Sequence, residues 1–217
     1  MTAAAILIDL DGTLVDSEPL HFEAHRRFLP RVGIRVTEAD LHGNIGRGDA
    51  VFYRDLMAAQ GVQGDADAWV RQKTEVLIGI YRDQGLALGK GGRELVAWLR
   101  QTGLGRAIVT SSARNLATAA VTAAGVAADF PARICREDVV HHKPDPAGYL
   151  LAAARLGVPA ERCLAVEDSE AGVASAHAAG CRVLAIPAFI SADRLTRAGA
   201  DRCLADLSEV IDEAERG

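Results

Sequence analysis

Short β-like runs that alternate with helical patterns restrict the fold of this sequence more than any other feature. Each run is rich in apolar residues and is followed by loop residues and then by a helical pattern. This alternation is typical of parallel strands that are buried on both faces of a sheet. The sequence therefore predicts a doubly wound α/β core. The runs are AAILI before Asp9, RAIVT ending at Thr110, ARIC around Ile134, RCLAVE ending at Glu167 and CRVLAI ending at Ile186.

The segment from residue 16 to residue 88 departs from this alternation because its pattern is helical throughout. Glycine-containing stretches divide and border it, HGNIGRG at 42–48 and GLALGKGG at 85–92, and both suit turns or hinges. We therefore predict a core formed by 1–15 and 89–217, with a helical domain inserted at 16–88. The inserted helices are predicted near Glu18–Leu29, Thr37–Leu41, Asp49–Gln60 and Asp65–Gln84, and the core helices at Gly91–Arg100, Ala113–Ala124, Pro146–Leu156 and Ala171–Ala179.

Composition excludes several classes of function. A net charge of -5 over 217 residues lacks the positive field that binding to nucleic acid requires. The four cysteines show no CxxC spacing, so we expect free thiols in a reducing compartment and no zinc site. The apolar stretch Ala3–Ile8 lacks a basic leader, and no window approaches the roughly 18 apolar residues of a membrane span. These features predict a soluble cytoplasmic protein without a nucleic-acid or membrane partner.

Acidic residues follow two of the predicted strands. Asp9 and Asp11 lie in IDLDGT directly after the first strand, and Glu167 and Asp168 end the strand RCLAVE and open the loop after it. The carboxyl ends of parallel strands meet at one edge of an open sheet, where ligands bind. Each acidic group alone fits a helix cap or an acidic turn. Two such pairs at one edge instead favour a site for a hard divalent cation.

Two further segments supply partners for an anion at the same edge. RAIVT ends in Thr110, Ser111 and Ser112, whose hydroxyl and main-chain N–H groups precede a helix and suit phosphate. Lys143 lies in HHKPDP, ahead of a helix that begins with proline. Singly, these residues fit a helix cap and a solvated loop charge. Together with the carboxylates they predict a site for a phosphate group and its counter-ion.

The order DLDGT, VTSS, KPDP and VEDS resembles the four motifs of the haloacid dehalogenase superfamily. LVDSEPLH, KPDPAGYLLAA and VEDSEAGVASAHAAG are similar to its β-phosphoglucomutase and sugar-phosphatase branch. The resemblance covers essentially the whole chain. It implies the strand order 3-2-1-4-5 and makes the helical insertion a cap domain. Asp11 and the second acidic pair favour phosphoryl transfer over the metal-independent dehalogenases of the superfamily.

The resemblance also implies a role for each motif residue. Asp9 would attack phosphorus to give an aspartyl-phosphate, and Asp11 would act as general acid and then general base. Mg²⁺ would be held by Asp9, the main-chain carbonyl of Asp11, Asp168 and Glu167. The residues that would clamp the phosphoryl oxygens are Thr110, the amide of Ser111 and Lys143.

The insertion would supply substrate contacts from Glu18, His21 and Arg47. The expected substrate is a small phosphorylated metabolite, a sugar or polyol phosphate or phosphoglycolate, bound by a monomer or weak dimer. A phosphohexose mutase and a non-catalytic metabolite-binding regulator remain as alternatives. In a loose alignment the cap lysine of the mutases falls near Gly79, which favours the phosphatase. The residues expected at the surface, since they show no metal-ligand spacing, are His25, His42 and His177.

Overall fold

The computed structural model describes residues 3–45 and 47–216. The chain divides into two compact units, which we call the core unit (Met1–Asp16 with Leu86–Gly217) and the helical unit (Ser17–Gly85). Gly46, in the predicted hinge HGNIGRG, lies outside the described residues. The elements are β1 Ala5–Ile8, α1 Glu18–Phe28, α2 Glu38–Gly43, α3 Asp49–Gln60, α4 Ala66–Gln84, α5 Gly92–Gln101, β2 Gly105–Val109, α6 Arg114–Ala123, β3 Ala132–Ile134, α7 Ala147–Leu156, β4 Cys163–Glu167, α8 Glu170–Ala178, β5 Arg182–Ala185, α9 Ala192–Ala198, β6 Arg202–Cys203 and α10 Glu209–Arg216.

A parallel sheet of six strands, counted over the described residues, forms the centre of the core unit. Its order is β3-β2-β1-β4-β5-β6, which confirms the doubly wound fold and adds a short edge strand to the predicted five. The central strand β1 consists of Ala5, Ile6, Leu7 and Ile8, all with 0% exposure. These side chains are buried on both faces of the sheet, which is why the sequence of β1 is a continuous apolar run.

The register of the sheet sets where the polar residues meet. The last residue of β1, Ile8, is level with Ile108 of β2 and Val166 of β4. The residues that follow these positions therefore emerge at one edge. They include Asp9, Thr110 and Glu167, the residues that the sequence places at strand ends.

The helical unit has its own apolar core. Phe28, Tyr53 and Trp69 pack against one another with ring centroids 6.1 to 6.4 Å apart, an arrangement that stabilises aromatic clusters. The expected surface position of His25 is wrong: the residue is only 3% exposed, and the Tyr53 hydroxyl lies 3.0 Å from its Nδ1. Its position on α1 turns the ring into the core, where burial lowers its pKa.

Two helices and a strand in the last third of the chain, α9, α10 and β6, were not anticipated from the sequence. These elements span only two to eight residues each, so each offers few positions from which an element can be recognised. The carboxylate of Glu213, on α10, is 3% exposed and is bound by Arg182 and Arg202.

No helix in the described parts of the chain is both long and apolar enough to cross a membrane.

Candidate active site

Lys143 connects two carboxylates at the carboxyl edge of the sheet. Its Nζ donates hydrogen bonds to Asp9 Oδ1 and Glu167 Oε1, both at 2.5 Å, and to the carbonyl of Val109 at 2.9 Å. These three bonds use all three donors of the ammonium group. Asp9 is 7% exposed and Glu167 0% exposed, so water contributes little to their charge balance. Lys143 is therefore held in one place as a cation that offsets part of the charge of the buried carboxylates.

Glu167 is fully buried, and both of its oxygens accept hydrogen bonds. The hydroxyl of Tyr149 donates to Oε1 at 2.7 Å, beside Lys143. Oε2 accepts from the hydroxyl of Ser169 at 3.0 Å and from the main-chain N–H groups of Asp168 and Ser169. A buried carboxylate with this many donors has little freedom to rotate, so it fixes Lys143 in turn.

Gly12 allows the carboxylate of Asp168 to approach the first loop. Its φ is +79°, and a Cβ at this position would lie 2.3 Å from Asp168 Oδ2. Any side chain would therefore collide with Asp168, and an L-residue would also disfavour this backbone conformation. The hydroxyl of Thr13 donates to Asp168 Oδ1 at 3.2 Å. The DGT sequence thus brings the acidic residue after β4 next to the loop after β1.

The loop after β2 meets the second aspartate of the first motif. The hydroxyl of Ser112 donates to Asp11 Oδ2 at 2.7 Å, and the N–H of Ser112 donates to Thr110 Oγ1 at 3.0 Å. Thr110 is buried, while Ser111 between them is exposed. Helix α6 begins at Arg114, two residues after Ser112. An anion beside this loop would meet hydroxyl groups and the N-terminal end of a helix.

Asp9, Glu167 and Asp168 fit a hard divalent cation. Each offers a carboxylate oxygen, and these oxygens lie within 4.8 Å of one another. Oxygen ligands of this kind are those that Mg²⁺ binds in proteins. The donor set contains no nitrogen or sulfur ligand, which disfavours zinc.

Burial and neighbouring charges shift the pKa values of Asp9 and Lys143 in opposing directions. Burial raises the pKa of Asp9 well above its usual value, Lys143 acts in the opposite direction, and Glu167 and Asp168 raise it further. Burial alone would lower the pKa of Lys143, but Asp9 and Glu167 outweigh that effect and raise it. Lys143 therefore stays charged, and an added cation would further stabilise the carboxylate form of Asp9.

The residues predicted to contact substrate from the insertion lie in the helical unit. Glu18 begins α1, and Arg47 forms an exposed ion pair with Asp55 at 2.6 Å. His21 Nδ1 lies 2.9 Å from Nζ of Lys73, which is 1% exposed and also pairs with Asp49 at 3.0 Å. Lys73 was not among the predicted site residues, because nothing in the local sequence distinguishes it from a solvated lysine on α4.

A model of the haloacid dehalogenase-like hydrolases matches residues 3–180. This chain belongs to the haloacid dehalogenase-like hydrolase family. The resemblance that the motifs indicated is thereby confirmed.

Three relatives of this hydrolase illustrate its similarities. The chloroplastic protein SUPPRESSOR OF QUENCHING 1 of Arabidopsis thaliana is 32% identical over 95% of the chain, which spans only 20% of that protein's length. Hexitol phosphatase A of Escherichia coli (strain K12) is 34% identical over 90% of the chain and 88% of its own length. The solved structure of CbbY from Rhodobacter sphaeroides in complex with phosphate is 27% identical, with a TM-score of 0.84 and 96% of each chain covered.

Two side-chain contacts in the hydrolase site were not predicted from the sequence. Ser112 was predicted among the groups that suit phosphate or cap the helix, but not as the residue whose hydroxyl donates to Asp11. Tyr149 lies on the apolar face of α7, and its hydroxyl binds Glu167. A buried tyrosine usually requires a partner for its hydroxyl, so the apolar pattern around Tyr149 was the one available signal.

Replacing Gly172 with alanine is expected to destabilise the hydrolase by about 1–3 kcal/mol. A Cβ at Gly172, in the first turn of α8, would lie 1.9 Å from Glu167 Oε1 and would displace that buried carboxylate. The matched control is Gly79→Ala in α4, where the nearest atom would be 3.9 Å away. Alanine there should stabilise by up to about 1 kcal/mol. Urea unfolding followed by circular dichroism measures both, and equal gains in stability would contradict the contact with Glu167.

Proposed function

We propose that this hydrolase is a magnesium-dependent phosphatase that acts on small phosphomonoesters of sugars or polyols through an aspartyl-phosphate on Asp9. The observation that carries this proposal is the placement of Asp9. Its carboxylate is buried, bound to a fixed lysine and grouped with two further carboxylates at the carboxyl edge of the sheet. A carboxylate held in this way can act as a nucleophile, provided that its charge is balanced.

The proposed reaction proceeds in two balanced steps. A carboxylate oxygen of Asp9 forms a bond to phosphorus while the bond from phosphorus to the ester oxygen breaks. Asp11 gives its proton to the departing alkoxide. Water then attacks the aspartyl-phosphate and passes a proton back to Asp11. The bond between Asp9 and phosphorus breaks, which releases phosphate and restores the free carboxylate.

Ser112 fits this sequence as the residue that orients Asp11. Its hydroxyl donates to Asp11 Oδ2, which restricts the rotation of that carboxyl group. Thr110, the amide of Ser111 and Lys143 would bind the phosphoryl oxygens beside the N-terminal end of α6. Lys143 would keep its position through Glu167 while the charge on Asp9 changes.

Mg²⁺ would be held by Asp9, Asp168 and the main-chain carbonyl of Asp11, with Glu167 adjacent. When bound, it supplies positive charge that offsets the repulsion between the anionic nucleophile and the anionic phosphate. The three clustered carboxylates support this assignment, since they exceed the single charge that Lys143 can balance.

The substrate class is supported by the relatives and by the motifs together. Hexitol phosphatase A of Escherichia coli bears a name that specifies a phosphorylated polyol, and it covers 90% of the chain. CbbY from Rhodobacter sphaeroides, with the same fold, was solved with phosphate. A small phosphorylated sugar or polyol is therefore the class that we propose for this site.

Removal of divalent cations is expected to lower phosphate release at least about 100-fold, because the clustered carboxylates would then repel the substrate. The test measures phosphate release from hexitol phosphates, sugar phosphates, phosphoglycolate and an aryl phosphate, with Mg²⁺ or with EDTA. Readdition of Mg²⁺ after EDTA should restore the rate, which excludes irreversible unfolding. Turnover that is equal with and without the cation would contradict the metal assignment. Folded protein that releases phosphate from no compound would instead favour the mutase or the metabolite-binding protein.

A further inference from the structure

A cavity of about 650 Å³ lies in the core unit, beside the edge strand β3. Its lining includes Arg114 of α6, Arg133 of β3, Arg155 of α7 and Cys135. None of these residues belongs to the candidate active site described above. Three guanidinium groups at one concave surface are an arrangement that suits an oxyanion, because each presents a planar fork of donors.

The charge around this cavity is opposite to that of the chain. The chain carries a net charge of -5, yet two of the arginines that line the cavity share a single carboxylate, that of Asp138. Arg114 Nη2 lies 2.6 Å and Arg155 Nη2 lies 2.8 Å from its oxygens. The neighbouring Glu137 accepts the main-chain N–H of Arg114 at 3.0 Å rather than a guanidinium. Positive charge is therefore in excess locally.

Arg133 adds a donor that no residue of the described chain satisfies. Its Nε is buried without a hydrogen-bond partner, although its Nη2 donates to the carbonyl of Ala127 at 2.5 Å. A buried N–H of a charged group without an acceptor is unfavourable. The Arg133 guanidinium also pairs with no carboxylate among the described residues, so its charge adds to the positive charge at the cavity.

We propose that this cavity is a second, non-catalytic site, which binds the tetrahedral oxyanion of phosphate or of a phosphate ester. Arg114 and Arg155 would bind the anion through their guanidinium groups and would then hold Asp138 less tightly. Arg133 would contribute the third contact. The Thr118 side chain, which also lines the cavity, offers a hydroxyl donor.

The second site is joined to the phosphate-binding loop by main-chain contacts. The N–H of Arg136 donates to the carbonyl of Ser112 at 3.1 Å, and Asp138 accepts the N–H of Cys135 at 2.8 Å. Asp138 thus holds the turn at 135–138, and that turn contacts the residue that binds Asp11. An anion that competes with Asp138 for Arg114 and Arg155 would loosen the turn. An anion bound at the second site should therefore change the position of Ser112 and lower kcat for phosphate release. This consequence rests on the proposed function.

The binding site is tested first without reference to activity. Crystals of the full chain soaked in selenate should show anomalous density within hydrogen-bond distance of Arg114 and Arg155. In solution, sulfate should raise Tm more for the wild type than for Arg155→Gln, with affinity at the second site about tenfold weaker in the variant. Sulfate that binds at the active site should raise the Tm of both proteins equally. Arg93→Gln, which changes an exposed arginine of α5, should behave as the wild type.

Two outcomes at this stage overturn the proposal: absence of selenate at the arginines of the wild type, or identical sulfate responses in wild type and Arg155→Gln. Methylphosphonate, in which a carbon replaces one oxygen, distinguishes the source of the ligand. If it binds as sulfate does, the site accepts a substituted phosphate group, and if it does not, the site selects the free anion. Both results support an oxyanion site.

The link to the catalytic loop is tested by kinetics with sulfate and an aryl phosphate. Competition at the active site should raise KM in every protein, whereas a fall in kcat should occur in the wild type and not in Arg155→Gln. If kcat of the wild type is unchanged by sulfate while selenate is bound at the arginines, the proposed effect on the catalytic loop is overturned. The proposed binding site would still stand. A chain without phosphatase activity would contradict the proposed function, while the selenate and thermal results would still decide the binding site.

Discussion

Asp9→Asn is expected to lower phosphate release by at least about 10⁴-fold, the scale of loss seen when a catalytic nucleophile is removed. The amide has the same size and shape as the carboxylate but is a far weaker nucleophile. It also removes a negative charge that burial, Glu167 and Asp168 all disfavour. The variant should therefore fold with a Tm equal to or above that of the wild type. Loss of activity together with retained stability separates a chemical role from a structural one.

The measurement for Asp9→Asn is steady-state phosphate release from the best substrate of the panel, together with thermal unfolding. Asp193→Asn is the matched control, because it makes the same chemical change at an exposed position on α9. That variant should retain full turnover. Substantial activity in Asp9→Asn, with its mass verified to exclude deamidation, would show that another group attacks phosphorus.

Lys143→Met is expected to cost about 3–5 kcal/mol of unfolding free energy, because it leaves two buried carboxylates without their cation. Asp9 and Glu167 both lose a 2.5 Å partner, and the carbonyl of Val109 loses its donor. Methionine keeps the unbranched shape of the chain, so the loss reports charge and hydrogen bonding more than volume. Phosphate release should also fall by about 10²–10³-fold, since a donor to the phosphoryl oxygens is removed.

Lys90→Met provides a matched control for Lys143→Met. Lys90 is 78% exposed and pairs with Asp206 at 3.2 Å, so its ion pair lies in water. Its removal should cost less than about 1 kcal/mol. Urea unfolding of both variants gives the comparison. A cost for Lys143→Met no larger than that for Lys90→Met would contradict the role of Lys143 as the cation of the buried site.

The sequence by itself determined the sheet and much of the candidate site. Five of the six strands were predicted, because apolar runs buried on two faces leave a local pattern. The positions of Asp9, Thr110 and Glu167 at the strand ends followed from the same runs, since parallel strands end at a common edge. The residue type of Gly12 in DGT is one that favours a turn. The room that Gly12 leaves for the Asp168 carboxylate could not be predicted from the sequence.

Only the tertiary structure decided which of these residues touch and which others join them. Lys143 and Asp9 are separated by 134 positions, and Ser112 and Asp11 by 101, so no local pattern connects them. The burial of His25 and Lys73 depends on which faces of α1 and α4 turn inward. That orientation is set by packing against the other helices. The arginine cavity beside β3 has the same origin. Local periodicity and steric preference are encoded over a few residues, whereas contact, burial and charge balance arise when distant segments pack together.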